Sequence, residues 1–269
     1  MPDKVTTRTL HQMKAQGRRI VALTAYDYPS AQLADTAGVD VILVGDSVGN
    51  TVLGYENTLP VQLEEILHHL RAVRRGVQRA LLVADMPFLT YGVSVEEAVY
   101  NAGKLIQAGA EAVKVEGASP RVLESIRAMV GIGIPVMAHL GLTPQSIHQF
   151  GGYRLQGRTA PEQETLVQAA HAVQEAGAFS LVLEVIPASL AQRITQELRI
   201  PTIGIGAGPY CDGEIQVWHD ILGLSPHQYK HTKRYAHLRE TILDALRQYA
   251  EEVRTGQFPT LEQSFEVKS

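Results

Sequence analysis

Apolar residues in this chain fall into two patterns that alternate along its length. Short unbroken runs of Val, Ile, Leu and Ala predict strands near residues 19–24, 39–44, 80–84, 112–115, 135–138, 180–183, 201–205 and 215–218. Such runs suit strands covered on both faces, as in parallel sheets. Between them the apolar positions recur every three or four residues. Leu63, Ile66, Leu67, Leu70 and Val73 mark one helix, introduced by Thr58 and Pro60 and stopped at Gly76. Ser94-Val95-Glu96-Glu97 predicts a capping box for a helix ending at Gly109, and Ser119-Pro120 opens another that ends at Gly131. A leading helix near 9–16 and a closing helix over 235–255, followed by a polar tail, complete the reading.

Three strand entries share one short pattern. Ala37-Gly38-Val39-Asp40 leads to Asp46, Ala108-Gly109-Ala110-Glu111 to Lys114 and Glu116, and Ala176-Gly177-Ala178-Phe179 to Glu184. In each, glycine stops a helix, a buried strand follows, and an ionisable group emerges where the strand runs out. That layout predicts a (β/α)8 TIM barrel, whose active site lies at the C-terminal ends of its strands. Two places break the rhythm. Residues 145–158 read as an active-site loop rather than a connector. About ten residues separate the seventh and eighth strands, too few for a crossover helix, so the seventh unit is shortened. No domain boundary is visible, and residues 1–269 read as a single barrel domain.

The bulk numbers agree with that picture. A length of 269 residues suits one barrel, and 45% hydrophobic with 19% charged residues is ordinary for a soluble globular chain. A net charge of −4 gives no field to draw nucleic acid or an anionic membrane. Arg71, Arg74, Arg75 and Arg79 read as a solvated helix face. The single cysteine, Cys211, excludes an internal disulfide and a Cys-rich zinc site. With no apolar leader and no run of membrane-spanning length, a cytoplasmic protein is expected.

Asp46 and Asp85 each follow an apolar run, which places both at one rim of the barrel. Two carboxylates, with waters and a chelating substrate, suit Mg²⁺, which takes hard oxygen ligands and keeps much of its hydration. Each also has an ordinary reading, Asp46 as a cap and Asp85 as a loop hydrogen-bond acceptor. Lys114 and Glu116 stand two apart and face the same side. They form either a structural ion pair, or an ammonium beside an anionic substrate with a carboxylate in or behind the metal shell. Glu184 arrives from Leu181-Val182-Leu183, where partial desolvation would make it a better base, or where it is simply structural. His139 binds substrate or is a satisfied core histidine; Ser47 binds substrate or serves a turn. Gly204-Ile205-Gly206-Ala207-Gly208 looks like a phosphate cradle, but no Lys or Arg adjoins it and no phosphate is predicted.

At these residues the chain resembles the ketopantoate hydroxymethyltransferase family. The matching segments include Leu23-Thr24-Ala25-Tyr26-Asp27, Val44-Gly45-Asp46-Ser47, Asp85-Met86-Pro87-Phe88 and Val113-Lys114-Val115-Glu116-Gly117. They continue through His139-Leu140-Gly141-Leu142-Thr143-Pro144-Gln145-Ser146, Phe150-Gly151-Gly152-Tyr153, Val182-Leu183-Glu184 and Asp212-Gly213, in order, over residues 20–220. The departures are Ala138 before the histidine, Leu89 after Met-Pro-Phe, Gly213-Glu214-Ile215-Gln216, and the stretch 229–233.

The resemblance implies a barrel of the phosphoenolpyruvate/pyruvate type, one Mg²⁺ per subunit and a homo-oligomer, commonly a decamer. It places the metal acids on Asp46, Asp85 and Glu116, and the substrate contacts on Asp46, Ser47, Asp85 and Lys114, with His139 nearby. The general base falls on Glu184. The implied reaction, a step of pantothenate synthesis, moves a hydroxymethyl group from 5,10-methylenetetrahydrofolate to 3-methyl-2-oxobutanoate. Its rivals are a Mg²⁺-dependent enolate-forming C–C or C–P lyase on an α-keto acid, and a non-catalytic keto-acid binder. Such lyases keep a catalytic cysteine in a rim loop, and Cys211 lies far from the expected one.

Overall fold

The structure, a computed structural model, describes residues 3–266. Eight parallel strands close a barrel in sequence order: β1 (Ile20–Thr24), β2 (Val41–Val44), β3 (Leu81–Asp85), β4 (Ala112–Glu116), β5 (Val136–Gly141), β6 (Ser180–Glu184), β7 (Thr202–Ile205) and β8 (Gly213–Gln216). The outer helices are α2 (Tyr28–Thr36), α3 (Leu63–Gly76), α4 (Val95–Gln107), α5 (Pro120–Gly131), α7 (Ala160–Glu175) and α8 (Ala188–Glu197). The expected (β/α)8 barrel is therefore present. Residues 206–212 connect β7 to β8 without a helix, as the short spacing required.

Alternate strand residues point inward and fill the barrel: Val41 and Leu43, Leu81 and Val83, Ala112, Met137, Val182, Ile203 and Ile215 form one buried cluster. Helix α1 (Thr7–Ala15) adds Leu10 and Met13 to that cluster, so it plugs the N-terminal end of the barrel. Lys4 pairs with Glu111 at 2.5 Å and Lys14 with Asp212 at 2.7 Å around the same end. With the bottom sealed, the C-terminal rim is the open face.

Three local expectations shift. Strand β8 begins at Gly213, two residues before the predicted start, because the Asp212 carbonyl already accepts the Ile20 N–H that opens β1. Trp218, expected in the strand, instead begins the short helix α9 (Trp218–Ile221), its N–H donating to Thr24 Oγ1 at 3.0 Å. Helix α3 opens at Leu63 rather than at Pro60, since the Glu65 carboxylate accepts the Gln62 N–H at 2.8 Å and fixes the first turn there. At α4 the Ser94 hydroxyl accepts the Glu97 N–H, the serine half of the expected box. The loop after β5 carries a 3₁₀ turn (Pro144–Ser146) and the short helix α6 (Ile147–Phe150).

The chain separates into two compact units between Trp218 and His219. The barrel is the first. In the second, helix α10 (Leu238–Thr255) is amphipathic, with Ile242, Leu246, Tyr249 and Val253 exposed at helical spacing. Among the described residues no helix is long and apolar enough to cross a membrane.

Candidate active site

Five consecutive strands, β2 to β6, each deliver an ionisable side chain to the open rim. Register does the assembling. Asp85 pairs with Lys114 across β3 and β4, and Glu116 pairs with His139 across β4 and β5. Lys114 Nζ lies 2.5 Å from Asp85 Oδ1 and 3.9 Å from Glu116 Oε1, with all three side chains buried. The other Asp85 oxygen accepts the Asp46 backbone N–H at 2.9 Å. That approach depends on Gly45: a Cβ there would lie 2.8 Å from Ser47 Oγ and 3.2 Å from Asp85 Oδ2. Ser47 Oγ shares a 2.7 Å hydrogen bond with the Tyr26 hydroxyl.

His139 stands between two acids. Its Nδ1 is 3.3 Å from Glu116 Oε1 and its Nε2 is 3.4 Å from Glu184 Oε2. Each contact is longer than an ordinary N–H···O hydrogen bond. Burial opposes protonation of the ring, but the two carboxylates overcome it and hold its pKa up at about 9. Stability from this charge is complete below the unfolded value of 6.5 and is lost as pH rises through about 9. At 1.36 kcal/mol per pKa unit it amounts to about 3 kcal/mol. Urea denaturation in EDTA is expected to show wild type weakening across that window and His139→Gln staying nearly flat; parallel curves would remove the imidazolium from this account.

The remaining charges follow from crowding. Burial, then the carboxylates of Asp85 and Glu116, push the Asp46 carboxyl well above the usual range. Burial also favours neutral Glu116, but His139, Lys114 and the Gln145 N–H outweigh it and hold its pKa below the ordinary value. Lys114 loses hydration, yet the three acids around it raise its pKa and keep it an ammonium.

Glu184 is the most accessible of the group, its side chain 17% exposed against 3% for His139. Its backbone is pinned on both sides. The Leu142 N–H donates to its carbonyl at 2.8 Å, and Val185, the next residue, takes a φ of 47°, an unusual value for a β-branched residue. Gly141 (φ 95°) lies so close that a Cβ would collide with the Glu184 carbonyl oxygen. Gly141→Ala is expected to cost about 1–3 kcal/mol of stability, the scale of an overpacked site, and to lower turnover by displacing Glu184. Unchanged melting and turnover would show that the loop absorbs the methyl.

Two site residues escaped the sequence reading. Gln145 Nε2 donates to Asp46 Oδ2 at 2.8 Å and to the Met86 carbonyl at 3.0 Å, while its backbone N–H donates to Glu116 Oε2 at 3.0 Å. The Tyr91 hydroxyl donates to Gln145 Oε1 at 2.7 Å, and burial, reinforced by Glu116, keeps it a phenol. Gln145 opens the predicted active-site loop, but burial of a glutamine has no signature in sequence; Tyr91 sits in a mixed loop, between Leu89 and Val93, where nothing distinguishes it. A cavity of about 480 Å³ opens beside Glu116 and Gln145, walled in part by Phe88, Val93 and Phe150. The 204–208 glycines, by contrast, allow close packing: a Cβ on Gly204 would lie 3.2 Å from Cys211 Sγ and one on Gly208 2.5 Å from Ala188 Cβ.

Among the described residues no three His, Cys, Asp or Glu side chains gather tightly enough to cage a metal. The rim offers a carboxylate pair instead, and Mg²⁺ commonly binds through one or two carboxylates and leaves other positions to water and substrate. Burial first, and then the carboxylates of Asp85 and Glu116, disfavour the Asp46 anion by more than Lys114 offsets. A hard divalent cation at Asp46 and Asp85 fits this donor set. Glu116, the third acid, contacts Lys114, His139 and the Gln145 N–H.

A sequence profile of the ketopantoate hydroxymethyltransferase family matches residues 4–261. The chain belongs to that family. It is 56% identical to the 3-methyl-2-oxobutanoate hydroxymethyltransferase of Moorella thermoacetica, covering 98% of each chain, and 53% identical to that of Thermotoga maritima, covering 97% of this chain and 96% of the other. Among solved structures, a phosphonopyruvate hydrolase complex with oxalate and Mg²⁺ superposes with a TM-score of 0.62 at 16% identity, covering 96% of this chain and 92% of the other. A 2,3-dimethylmalate lyase of the PEP mutase/isocitrate lyase superfamily gives 0.62 at 18% identity, over 98% and 90%. At such identities these two establish the shared barrel fold. Within the ketopantoate hydroxymethyltransferase family, then, the rim described above is an enzyme's candidate centre.

Proposed function

We propose that the chain transfers a hydroxymethyl group from 5,10-methylenetetrahydrofolate to C3 of 3-methyl-2-oxobutanoate with Mg²⁺, in the cytoplasm, as a step of pantothenate synthesis. One water is taken up, and the products are 2-dehydropantoate and tetrahydrofolate. The observation that carries the reading is the division of the rim: a buried acid–lysine cluster on one side and an accessible carboxylate, Glu184, on the other, with His139 between them.

The keto acid places its two adjacent oxygens toward Asp46 and Asp85. When bound there, the cation supplies a Lewis acid for the charge that gathers on the keto oxygen as C3 loses its proton. Lys114 offsets the substrate's anionic charge, and the Ser47 hydroxyl, held by Tyr26, offers a hydrogen bond. Glu184 takes the C3 proton, and His139 holds its carboxylate in place. Water hydrolyses the donor, breaking both C–N bonds of its methylene bridge to release tetrahydrofolate and formaldehyde. The carbanion carbon adds to that carbonyl, and the new alkoxide takes back the proton that Glu184 removed. The cavity beside Glu116 suits the donor's flat ring system, since its wall is largely aromatic and aliphatic with a few polar groups. The exposed apolar row on α10 supports assembly as a homo-oligomer, and sedimentation would give its size.

Incubation of 3-methyl-2-oxobutanoate with the enzyme and Mg²⁺ in D₂O is expected to replace the C3 proton, seen as collapse of the methyl doublet. Absence of Mg²⁺-dependent exchange would reject carbanion formation. Asp85→Ala is expected to weaken calorimetric binding of both Mg²⁺ and keto acid; unchanged titrations of both would reject the shared chelate. The lyase reading would gain from turnover without any folate donor. It is disfavoured by Cys211, which is buried against Gly204 between β7 and β8 rather than in a loop at the centre described above.

A further inference from the structure

We propose that Gln145, itself oriented by Tyr91, is a positioning residue that aims Asp46 at the divalent cation and the keto acid; the inference rests on the metal reading given above. Proton accounting fixes the arrangement. The Met86 carbonyl can only accept, at 3.0 Å, so the NH2 end of the Gln145 amide must face it, and the same nitrogen donates to Asp46 Oδ2 at 2.8 Å. Its oxygen therefore faces Tyr91, whose single hydroxyl proton must go to it across 2.7 Å. The Tyr91 oxygen in turn accepts the Glu116 backbone N–H at 3.2 Å. No member of this chain can reverse without setting acceptor against acceptor.

One residue thus ties the ends of β2, β3 and β4 together, its side-chain amide on Asp46 and the Met86 carbonyl and its backbone N–H on Glu116 Oε2. Asp46 Oδ2 is held on Gln145, and Oδ1, which makes none of these bonds, is the oxygen presented to a ligand. Gln145 and Tyr91 are each 6% exposed, so water does not substitute readily for a lost partner. Groups of this kind, which hold a metal ligand from behind, typically change affinity about 10–100-fold when removed.

The test uses Mn²⁺ as probe, titrated by electron paramagnetic resonance into full-length Gln145→Leu, Tyr91→Phe, Asp46→Ala and the Asp46→Ala/Gln145→Leu double variant. Both Gln145→Leu and Tyr91→Phe are expected to bind Mn²⁺ about 10–100-fold more weakly, with the KM for keto acid raised. Their C3 deuterium exchange should recover toward wild type at saturating Mn²⁺ and keto acid, because Glu184 is untouched. The double variant should bind no more weakly than Asp46→Ala, since Gln145 acts through Asp46.

A merely structural role would lower the melting temperature and leave the Mn²⁺ affinity of folded protein unchanged, and that result overturns the proposal. So does an additive loss in the double variant. If Gln145→Leu does not fold, Tyr91→Phe, which keeps the ring, decides alone. Wild-type Mn²⁺ binding by Asp46→Ala would instead overturn the metal reading itself, and the role of Gln145 with it.

Discussion

Glu184→Gln is expected to bind 3-methyl-2-oxobutanoate as wild type does and to turn over about 10²–10⁴-fold more slowly, the usual contribution of a positioned general base. Size and position are retained, because the backbone on both sides of residue 184 is fixed by the Leu142 N–H and by Val185. Basicity is what the substitution removes. The acid cluster that receives the keto acid lies on β2 to β4 and is unaltered, so calorimetry of the keto acid should not change while the steady-state rate collapses. Deuterium exchange at C3 should be lost in parallel. Near-wild-type turnover would take the base role away from Glu184, and a loss confined to keto-acid affinity would make it a binding group.

Lys114→Met is expected to be the most damaging single change to stability. Lys114 is the ammonium set among Asp85, Glu116 and Asp46, and its removal leaves buried carboxylates uncompensated. Breaking a buried ion pair in this way costs about 3–5 kcal/mol. The cost depends on pH with a definite sign. Buried acids whose folded pKa lies above the unfolded value bind more protons when folded, so the variant loses stability as pH rises from 5 to 8. Denaturation in EDTA at those two values checks this. Keto-acid affinity should fall more than metal affinity; the reverse would move Lys114 from substrate charge to metal support, and a loss of under about 1 kcal/mol at both pH values would contradict the uncompensated-charge account.

Strand positions were legible because parallel barrel strands are buried on both faces and read as unbroken apolar runs. The three glycine-led entries to β2, β4 and β6 also gave the rim: Asp46, Lys114, Glu116 and Glu184 all emerge where those strands end. Reading failed where a hydrogen bond rather than hydrophobicity sets the element. The Ile20–Asp212 bond opens β8 early, and the Gln62–Glu65 bond starts α3 past the proline. Gln145 and Tyr91 were missed for a related reason. A polar residue in a loop shows in sequence what it is made of, and only folding shows that its donors and acceptors are matched inside.

The most direct measurement supplies 3-methyl-2-oxobutanoate and ¹³C-methylene-labelled tetrahydrofolate to purified protein, with Mg²⁺ or with EDTA, and follows labelled 2-dehydropantoate by mass spectrometry. The account predicts one ¹³C per product molecule, formed with Mg²⁺, lost in EDTA and lost in Glu184→Gln. Folded, Mg²⁺-loaded protein that forms no labelled product would contradict it.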